Sequence, residues 1–192
     1  MKVAITGSTR GLGLAITALL RENNIEVVEI NRDILDLSTL SVDSIDLTKI
    51  DVLINNAAIE QIGLYKDYTY KSIVDMINVN LLAPMLLTNK YVKENSKGLI
   101  INITSSCITR PYGTHNTTYY TSKNGLSAFT NSIREELKSE NFRVVEIIPG
   151  RIDTDMSVDK HNAIATIEVA KAVLFCINNP VIQQLVIKHP NR

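Results

Sequence analysis

The chain has 192 residues, of which 45% are hydrophobic and 21% charged, and its 20 Lys plus Arg balance its 20 Asp plus Glu. A net charge of +0 argues against a nucleic-acid-binding protein, which needs positive charge to displace phosphate counterions. A chain of this length buries enough surface for a single domain, predicted over residues 1–192, to fold without a disulfide or a structural metal.

Membrane, secretory and metal-binding classes find no support in the sequence. The 2 Cys and 3 His are widely separated, without the spacing of a disulfide framework or a zinc site. The apolar runs fall short of the ~20 residues that a membrane-spanning helix needs, and the N-terminus lacks the apolar region of a signal peptide. We therefore expect a cytoplasmic enzyme or binding protein without a metal, a nucleic-acid partner or a membrane partner.

Segments typical of strands and helices alternate along the chain. The predicted strands are short apolar runs, and they cover residues 2–6, 26–30, 34–37, 51–55, 99–104, 144–148 and 185–188. The predicted helices cover residues 12–23, 70–95, 117–138 and 167–177, with a short helix within 38–46 and a kink at Pro84. This alternation predicts a single-domain α/β fold: a Rossmann-type, doubly wound parallel sheet of about seven strands, with helices on both faces.

Three glycines follow the first predicted strand at the point where the first helix begins. They are Gly7, Gly11 and Gly13, in the spacing G-x-x-x-G-x-G. Glycine permits the positive φ of a tight turn and the close approach of a phosphate, and a helix N-terminus directs free N–H groups at an anion. The loop therefore predicts a pyrophosphate site, with a plain strand-to-helix turn as the alternative interpretation.

Tyr119 and Lys123 lie four residues apart on a predicted helix and therefore share one face. A tyrosine is useful as an acid or base when its pKa of about 10 is lowered, and a neighbouring ammonium group lowers it. Ser105 directly follows the predicted strand 99–104, at the sheet edge where ligands bind in open α/β folds. For the Tyr-Lys pair alone, a solvated helix face is the alternative; the position of Ser105 favours a catalytic site.

Six short motifs extend this pattern along almost the whole chain. They are T-G-S-T-R-G-L-G at 6–13, N-N-A-A at 55–58, Asn80, N-I-T-S at 102–105, Y-Y-T-S-K at 119–123 and P-G-R-I-D-T at 149–154. In this order they resemble the motifs of the short-chain dehydrogenase/reductase family, whose members bind a nicotinamide cofactor. The ordered set is far more specific than any one motif.

The resemblance implies a role for each residue of the candidate catalytic set. Tyr119 would be the general acid/base, and Lys123 would lower its pKa and bind the nicotinamide ribose. Ser105 would orient the substrate carbonyl or alcohol, and Asn80 would hold a water that links Lys123 to solvent. The cofactor would carry the hydride, and the protein would supply geometry and electrostatics.

The family pattern also assigns residues to the cofactor and to the substrate. The expected cofactor-binding residues are Gly7, Ser8, Thr9, Arg10, Gly11, Leu12, Gly13, Asn31, Arg32, Asp36, Leu37, Asn56, Ala57, Ala58, Ile103, Tyr119, Lys123, Pro149, Gly150, Ile152 and Thr154. The expected substrate residues are Ser105, Cys107, Tyr112 and Met156. For Cys107, an ordinary small loop residue is the alternative.

The end of the second predicted strand distinguishes NADP from NAD. An acidic residue there binds the adenosine ribose 2′-OH of NAD, whereas arginine accommodates the 2′-phosphate of NADP. Asn31 occupies the acidic position, Arg32 follows it, and the resemblance places Arg10 within reach of the same phosphate. NADP(H) is therefore the expected cofactor, and NAD(H) is the alternative if a one-residue shift places Asp33 or Glu29 at this point.

The chain departs from the family in length rather than at its catalytic positions. Ala58 replaces a usual glycine, and the region between the second and fourth predicted strands is abbreviated. The segment 155–165, which covers the substrate in relatives, is also short. These losses predict a shallow, open substrate site that accepts a bulky or carrier-bound substrate, or else a poor catalyst.

The resulting hypothesis is an NADP(H)-dependent oxidoreductase that transfers a hydride between nicotinamide and a small or carrier-bound carbonyl or secondary alcohol. A nucleotide-binding regulator of the same fold is the alternative, although it would not need the catalytic set. An isomerase or dehydratase with tightly held NAD is a third candidate, which usually carries a larger C-terminal region. Relatives often pair through the helices that correspond to 70–95 and 117–138, so a homodimer or homotetramer is expected.

Overall fold

Six parallel strands form one sheet in the computed structural model, which describes residues 1–109, 115–157 and 161–190. The strands are β1 (Lys2–Thr6), β2 (Glu26–Ile30), β3 (Val52–Asn55), β4 (Gly98–Ile103), β5 (Phe142–Pro149) and β6 (Gln184–Ile187). The α-helices are α1 (Gly11–Glu22), α2 (Tyr70–Ile77), α3 (Ala83–Glu94), α4 (Thr117–Glu136) and α5 (Thr166–Asn178). Each strand contains β-branched residues, and α-helices form the crossovers between successive strands except from β2 to β3, where the connection contains the short 3₁₀ turn Val42–Ser44.

The strand order is β2-β1-β3-β4-β5-β6, and all neighbours are parallel. The chain moves outward from β1 to β2, returns to the other side of β1 with β3, and then continues in one direction. The order therefore reverses between β1 and β3, and open α/β sheets bind ligands outside the carboxyl ends of the strands at such a point. The doubly wound fold is confirmed, and its topology indicates where a site should lie.

The predicted strand at residues 34–37 is wrong, which reduces the count from about seven strands to six. The Asn31 side-chain oxygen accepts a hydrogen bond from the Ile34 N–H at 3.3 Å, and its carbonyl accepts one from the Leu35 N–H at 2.9 Å. These bonds turn the chain, as Asn side chains commonly do. Leu35 and Leu37 are buried, whereas Ile34 and Asp36 are exposed. The alternating pattern that predicted a strand therefore reflects alternate burial within a loop.

The sheet buries an apolar layer on each of its faces. On one face, Ile16 and Leu20 of α1 pack with Val173 of α5 against the strands. The two α1 residues are four positions apart, the spacing that places side chains on one side of a helix. On the other face, Tyr91 of α3 is fully buried among apolar residues of the segment 35–50. The expected arrangement of helices on both faces is confirmed.

The long helix predicted over residues 70–95 is interrupted just before Pro84. A π-helical segment, Asn78–Leu82, separates α2 from α3. Proline has no N–H to donate to the carbonyl four residues earlier, which here belongs to Asn80. The interruption therefore coincides with a residue of the predicted catalytic set, and π-helical turns are frequent at functional sites.

A buried polar network joins β3, β4 and α4. Asn55 Nδ2 donates to Asn102 Oδ1 at 2.8 Å, and Asn102 Nδ2 donates to Thr130 Oγ1 at 2.8 Å. In a low-dielectric interior, hydrogen-bonded polar groups of this kind stiffen the structure around them. Asn102 lies three residues before Ser105, and Thr130 lies on the helix that carries Tyr119. The network therefore fixes the position of α4 relative to β4.

Features of membrane and metal proteins are absent from the parts of the chain that the structure describes. No helix there is long and apolar enough to cross a membrane. The same ranges contain no group of three or more His, Cys, Asp or Glu side chains placed to hold a metal ion. Cys107 and Cys176 are both buried free thiols.

Candidate active site

A cleft of about 820 Å³ opens at the carboxyl edge of the sheet. It is lined by the segments that follow β1, β2, β3, β4 and β5, and by residues at the N-terminal end of α4. These segments meet because parallel strands all end at the same edge. The volume is within the range of small-molecule and cofactor sites, and the position includes the point between β1 and β3 where the strand order reverses.

The glycine-rich loop lines the cleft between β1 and α1. Gly7 has a φ of +68° and Gly11 a φ of +54°, left-handed values that residues with a Cβ rarely adopt. Arg10, the N-cap residue of α1, makes no side-chain cap bond, and the first turn contains no acidic residue. The first N–H groups of the helix are therefore available to an anion, as the predicted pyrophosphate site requires.

Asn56 holds the glycine-rich loop beside β3. Its Nδ2 donates to the carbonyls of Thr6 at 2.9 Å and Gly7 at 3.1 Å. Thr6 Oγ1 in turn accepts from the N–H groups of Asn56 and Ala57, both at 3.0 Å. Part of the N-N-A-A motif therefore fixes the shape of the loop, in addition to lining the cleft.

We expect Gly13→Ala to distort this loop and destabilise the protein. A Cβ at this position would lie 2.0 Å from the Gly7 carbonyl oxygen and 2.6 Å from Asn56 Nδ2, so the backbone must move. Overpacking of this kind costs about 1–3 kcal/mol or more. Urea unfolding should show the lower free energy of unfolding, and titration should show weaker NADPH binding. Gly63→Ala is the matched control, since its Cβ would meet Tyr68 at an ordinary 3.8 Å; equal losses in both variants would contradict the role of the loop.

Ser105, Tyr119 and Lys123 line the same cleft. Lys123 is 2% exposed, and its Nζ donates to the carbonyl of Ile103 at 2.9 Å. The same Nζ lies 6.0 Å from the centroid of the Tyr119 ring, at the limit of cation–π attraction. Ser105 Oγ accepts a hydrogen bond from the Cys107 N–H at 3.3 Å. The structure therefore brings three of the four predicted catalytic residues to one surface.

Burial dominates the electrostatics of the Tyr-Lys pair. It raises the pKa of Tyr119, in the same direction as the charge of Glu60 and against the Ser105 hydroxyl. Burial also lowers the pKa of Lys123 from 10.5 to about 8. The role that the resemblance implied for Lys123, to lower the pKa of Tyr119, stays a prediction; in this structure the Lys123 ammonium donates to the Ile103 carbonyl. The phenol is consequently protonated at neutral pH, as a proton donor requires.

Because Lys123 is buried, we expect the free energy of unfolding to depend on pH. Its pKa of about 8 in the folded chain is below the ordinary 10.5, so the unfolded chain binds more protons between these values and the wild type gains stability there as pH rises. Relative to Lys123→Met, the gain should reach about 3 kcal/mol. Urea unfolding across this pH range measures the difference. Lys138→Met, which removes an exposed lysine, is the control. If the free energy of unfolding changes with pH in the same way in wild type and in Lys123→Met, the lowered pKa of Lys123 is contradicted.

Asn80 is fully buried and does not line the cleft. Its Oδ1 accepts from the Ile59 N–H at 2.9 Å, and its Nδ2 donates to the Ile59 carbonyl at 2.8 Å and to Ser122 Oγ at 3.1 Å. The side chain therefore ties the segment after β3 to α4. The water-holding role that the resemblance implied stays a prediction. It would fall to the backbone of Asn80, because the side-chain donors are taken.

The segment after β2 carries the charges that would distinguish the two cofactors. Arg32 and Asp33 both line the cleft, whereas the Asn31 side-chain oxygen is used in the turn. Glu29 does not line the cleft and is ion-paired with Arg21 at 2.5 Å. Of the two acidic residues that could bind the ribose 2′-OH of NAD, Glu29 is thereby removed, and Asp33 remains beside Arg32.

Most of the residues predicted from the sequence line the cleft. They are Gly7, Thr9, Arg10, Gly11, Leu12, Gly13, Asn31, Arg32, Asp36, Leu37, Asn56, Ala57, Ala58, Ile103, Ser105, Cys107, Tyr119, Lys123, Pro149, Gly150, Ile152, Thr154 and Met156. Besides Asn80, Ser8 is an exception: its buried hydroxyl lies beside Glu29 and is the main cause that lowers the pKa of that carboxyl. Tyr112 lies outside the described residues.

The residues on either side of the short segment after β5 are hydrogen-bonded to each other. Ile152 pairs with Ile164 in an isolated parallel bridge, and the Asp153 N–H donates to the Ile164 carbonyl at 2.8 Å. Met156 lines the cleft and is 36% exposed. This apolar side chain is therefore accessible to a substrate; residues 158–160 lie outside the described ranges.

Glu60 and Asn116 line the cleft although sequence reasoning missed both. Asn116 Nδ2 donates to Glu60 Oε1 at 3.1 Å. Glu60 follows β3 by five residues, so its position after a parallel strand was the available signal, but no motif includes it. Asn116 directly precedes α4, three residues before Tyr119.

Comparisons with known proteins agree with this fold and these motifs. The family model described as short chain dehydrogenase matches residues 38–165. The ketoacyl reductase HetN of Nostoc sp. is 31% identical over an alignment that covers 98% of this chain and 79% of the relative. The 3-oxoacyl-[acyl-carrier-protein] reductase FabG of Chlamydia pneumoniae is 28% identical, over 81% of this chain and 75% of its own.

Solved structures support the fold. A 3-ketoacyl-(acyl-carrier-protein) reductase from Brucella melitensis, complexed with NADH, superposes with a TM-score of 0.87 at 18% identity, covering 98% of this chain and 97% of the other. A short chain dehydrogenase from Burkholderia cenocepacia in complex with NADP gives a TM-score of 0.82 at 20% identity, covering 97% and 96%. The family model matches more than half of the sequence and the Nostoc relative covers nearly all of it, so this chain belongs to the short-chain dehydrogenase/reductase family of oxidoreductases.

Proposed function

We propose that this chain is an NADP(H)-dependent oxidoreductase that transfers a hydride between nicotinamide and a carbonyl or secondary alcohol. The observation that carries the proposal is the joint placement of Ser105, Tyr119 and Lys123 in the cleft that also contains the glycine-rich loop and Arg32. One domain, residues 1–192, would then hold both the cofactor and the catalytic groups.

The residues of the cleft fit a phosphorylated dinucleotide. The pyrophosphate would lie on the N-terminus of α1, where Gly7 and Gly11 adopt left-handed conformations. Arg10 and Arg32 are exposed cations that line the cleft and suit the 2′-phosphate of NADP. Lys123 would hold the nicotinamide ribose. The solved relatives contain NADH in one case and NADP in another, so the preference for NADP rests on this chain's own arginines.

The bound nicotinamide would supply or accept the hydride, and the chain's own residues would manage the proton. During reduction Tyr119, which is protonated at neutral pH, donates its proton to the carbonyl oxygen. Ser105 donates a second hydrogen bond to that oxygen and orients the carbonyl. The Lys123 ammonium stabilises the phenolate that Tyr119 becomes, and Asn80 keeps α4 in place beside the segment after β3.

The short segment after β5 supports a substrate that is larger than a simple ketone. Met156 and Ile62 are exposed apolar side chains that line the cleft, and they would contact such a substrate. The ketoacyl reductase and carrier-protein reductase among the relatives act, by their names, on carbonyl groups of this kind.

We further propose that the chain forms a homodimer or homotetramer through its long helices.

Absorbance measurements with NADPH test the proposal directly. The protein is incubated with NADPH and a panel of ketones, aldehydes and 3-oxoacyl thioesters, and the loss of NADPH absorbance is followed. We expect turnover with at least one carbonyl class. Tight NADPH binding without turnover on any of them would instead favour the alternative of a catalytically weak, nucleotide-binding regulator, which the short segment 155–165 motivates.

A further inference from the structure

A carboxylate stands within the reaction site and is not used by the mechanism above. Glu60 lines the cleft together with Ser105, Cys107 and Tyr119. It is half-buried, and after burial its charge is the main cause that raises the pKa of Tyr119. It also opposes the fall in the pKa of Lys123. Glu60 therefore lies in the same cleft as the catalytic groups.

Asn116 holds this carboxylate in place. As the N-cap residue of α4, Asn116 has the side chain that most often accepts a hydrogen bond from the first turn, yet it makes no such cap bond. Its amide instead donates to Glu60 Oε1 at 3.1 Å. The contact links the segment after β3 to the start of the helix that carries Tyr119, so Glu60 has a fixed position relative to the phenol.

The acceptor capacity of Glu60 is largely unused within the described residues. None of the ion pairs formed between those residues includes it. A carboxylate offers about four acceptor positions, and Asn116 occupies one of them. The neighbouring Cys107 does not compete as an anion, because burial raises the pKa of its thiol. A ligand in the cleft that Ser105 and Tyr119 line would therefore meet a carboxylate with acceptor positions to spare.

We propose that Glu60 determines specificity by selecting substrates with a hydrogen-bond donor, either a hydroxyl or an ammonium group, on the carbon next to the reacting one. The inference rests on the proposed function, since Ser105 and Tyr119 define the reacting carbon. Donors on that neighbouring carbon gain a charge-assisted hydrogen bond, whereas an anionic group near it meets like charge.

Four alcohols with four carbons each separate these contributions: 2-butanol, 2,3-butanediol, protonated 3-amino-2-butanol and 3-hydroxybutanoate. Their kcat/KM values for oxidation by NADP⁺ are compared in wild type and Glu60→Gln, which keeps the size of the side chain. Wild type should prefer the diol and the amino alcohol over 2-butanol. Glu60→Gln should reduce the preference for the amino alcohol by about 10-fold or more and raise the relative activity on 3-hydroxybutanoate.

Asp67→Asn is the matched control, because it removes one exposed carboxylate outside the cleft and should leave all four values unchanged. If Glu60→Gln loses the preference for both the diol and the amino alcohol, the inference is supported, and Glu60 accepts from either a hydroxyl or an ammonium group. Loss for the amino alcohol alone supports it with a cation as the ligand. Unchanged preferences in Glu60→Gln overturn it.

A binding measurement keeps the inference testable if hydride transfer itself fails. Alcohols cannot be oxidised in the presence of NADPH, so saturation-transfer NMR with NADPH bound reports their affinity without turnover. Stronger binding of the amino alcohol and the diol to wild type than to Glu60→Gln supports the role of Glu60, even if no alcohol is turned over. Equal binding to both proteins, with equal NADPH affinity and thermal stability, overturns it.

Discussion

Tyr119→Phe should abolish turnover while leaving the affinity for NADPH nearly unchanged. The substitution removes a hydroxyl and keeps the ring, so the shape of the cleft is preserved. General acid catalysis contributes about 10²–10⁴-fold, and the loss should be at least of this order because Tyr119 is the proposed donor of the proton. Steady-state kinetics measures the loss, and fluorescence titration with NADPH measures the retained binding.

Tyr120→Phe is the matched control for this result. Tyr120 is the adjacent residue and also lines the cleft, but the family motif assigns the catalytic position to Tyr119. Tyr120→Phe should retain activity within a few-fold. Activity of Tyr119→Phe within a few-fold of wild type, with Tyr120→Phe inactive, would move the acid/base role to the second tyrosine.

Arg32→Ala should weaken the binding of NADPH by about 10- to 150-fold and change NADH binding far less. The range corresponds to one charge-assisted hydrogen bond to the 2′-phosphate, worth roughly 1.5–3 kcal/mol. Arg32 is exposed, lines the cleft and lies within the turn that Asn31 forms. Both dissociation constants are measured by fluorescence titration at one fixed ionic strength, because exposed charges are screened by salt.

The comparison of the two cofactors separates a phosphate contact from a general effect of charge. Lys66→Ala removes one exposed cation that does not line the cleft, and it should leave the ratio of the two dissociation constants unchanged. Equal losses for NADPH and NADH in Arg32→Ala would show that the guanidinium does not touch the 2′-phosphate. In that case Asp33, which lines the same part of the cleft, would favour NAD.

The fold could be predicted because its main signals are local. Apolar strands, amphipathic helices and the glycine-rich loop each follow from residues close in sequence, and six of the seven predicted strands are present in the sheet. Residues 34–37 were wrongly predicted as a strand because alternate burial in a loop has the same period as a strand. The Asn31 side chain forms the turn through its hydrogen bonds, and the periodicity of apolar residues does not reveal such bonds.

The candidate site was predictable where a motif follows a strand, and not where a contact joins distant segments. Ser105 and Gly7 could be located because parallel strands end at one edge. Glu60 and Asn116 are 56 residues apart, and their hydrogen bond depends on how the segment after β3 meets the start of α4. The pKa of Tyr119 was also beyond the sequence, because burial and the charge of Glu60 are properties of the assembled cleft.

The most direct measurement of the proposed chemistry follows the hydride itself. NADPH deuterated at both C4 positions of the nicotinamide is incubated with the protein and a carbonyl substrate found in the panel, and mass spectrometry locates deuterium in the alcohol product. Wild type should place one deuterium on the carbinol carbon, and Tyr119→Phe should form no product above background. An alcohol product without deuterium at that carbon, or no product from any carbonyl class while NADPH is bound, would contradict hydride transfer in this cleft.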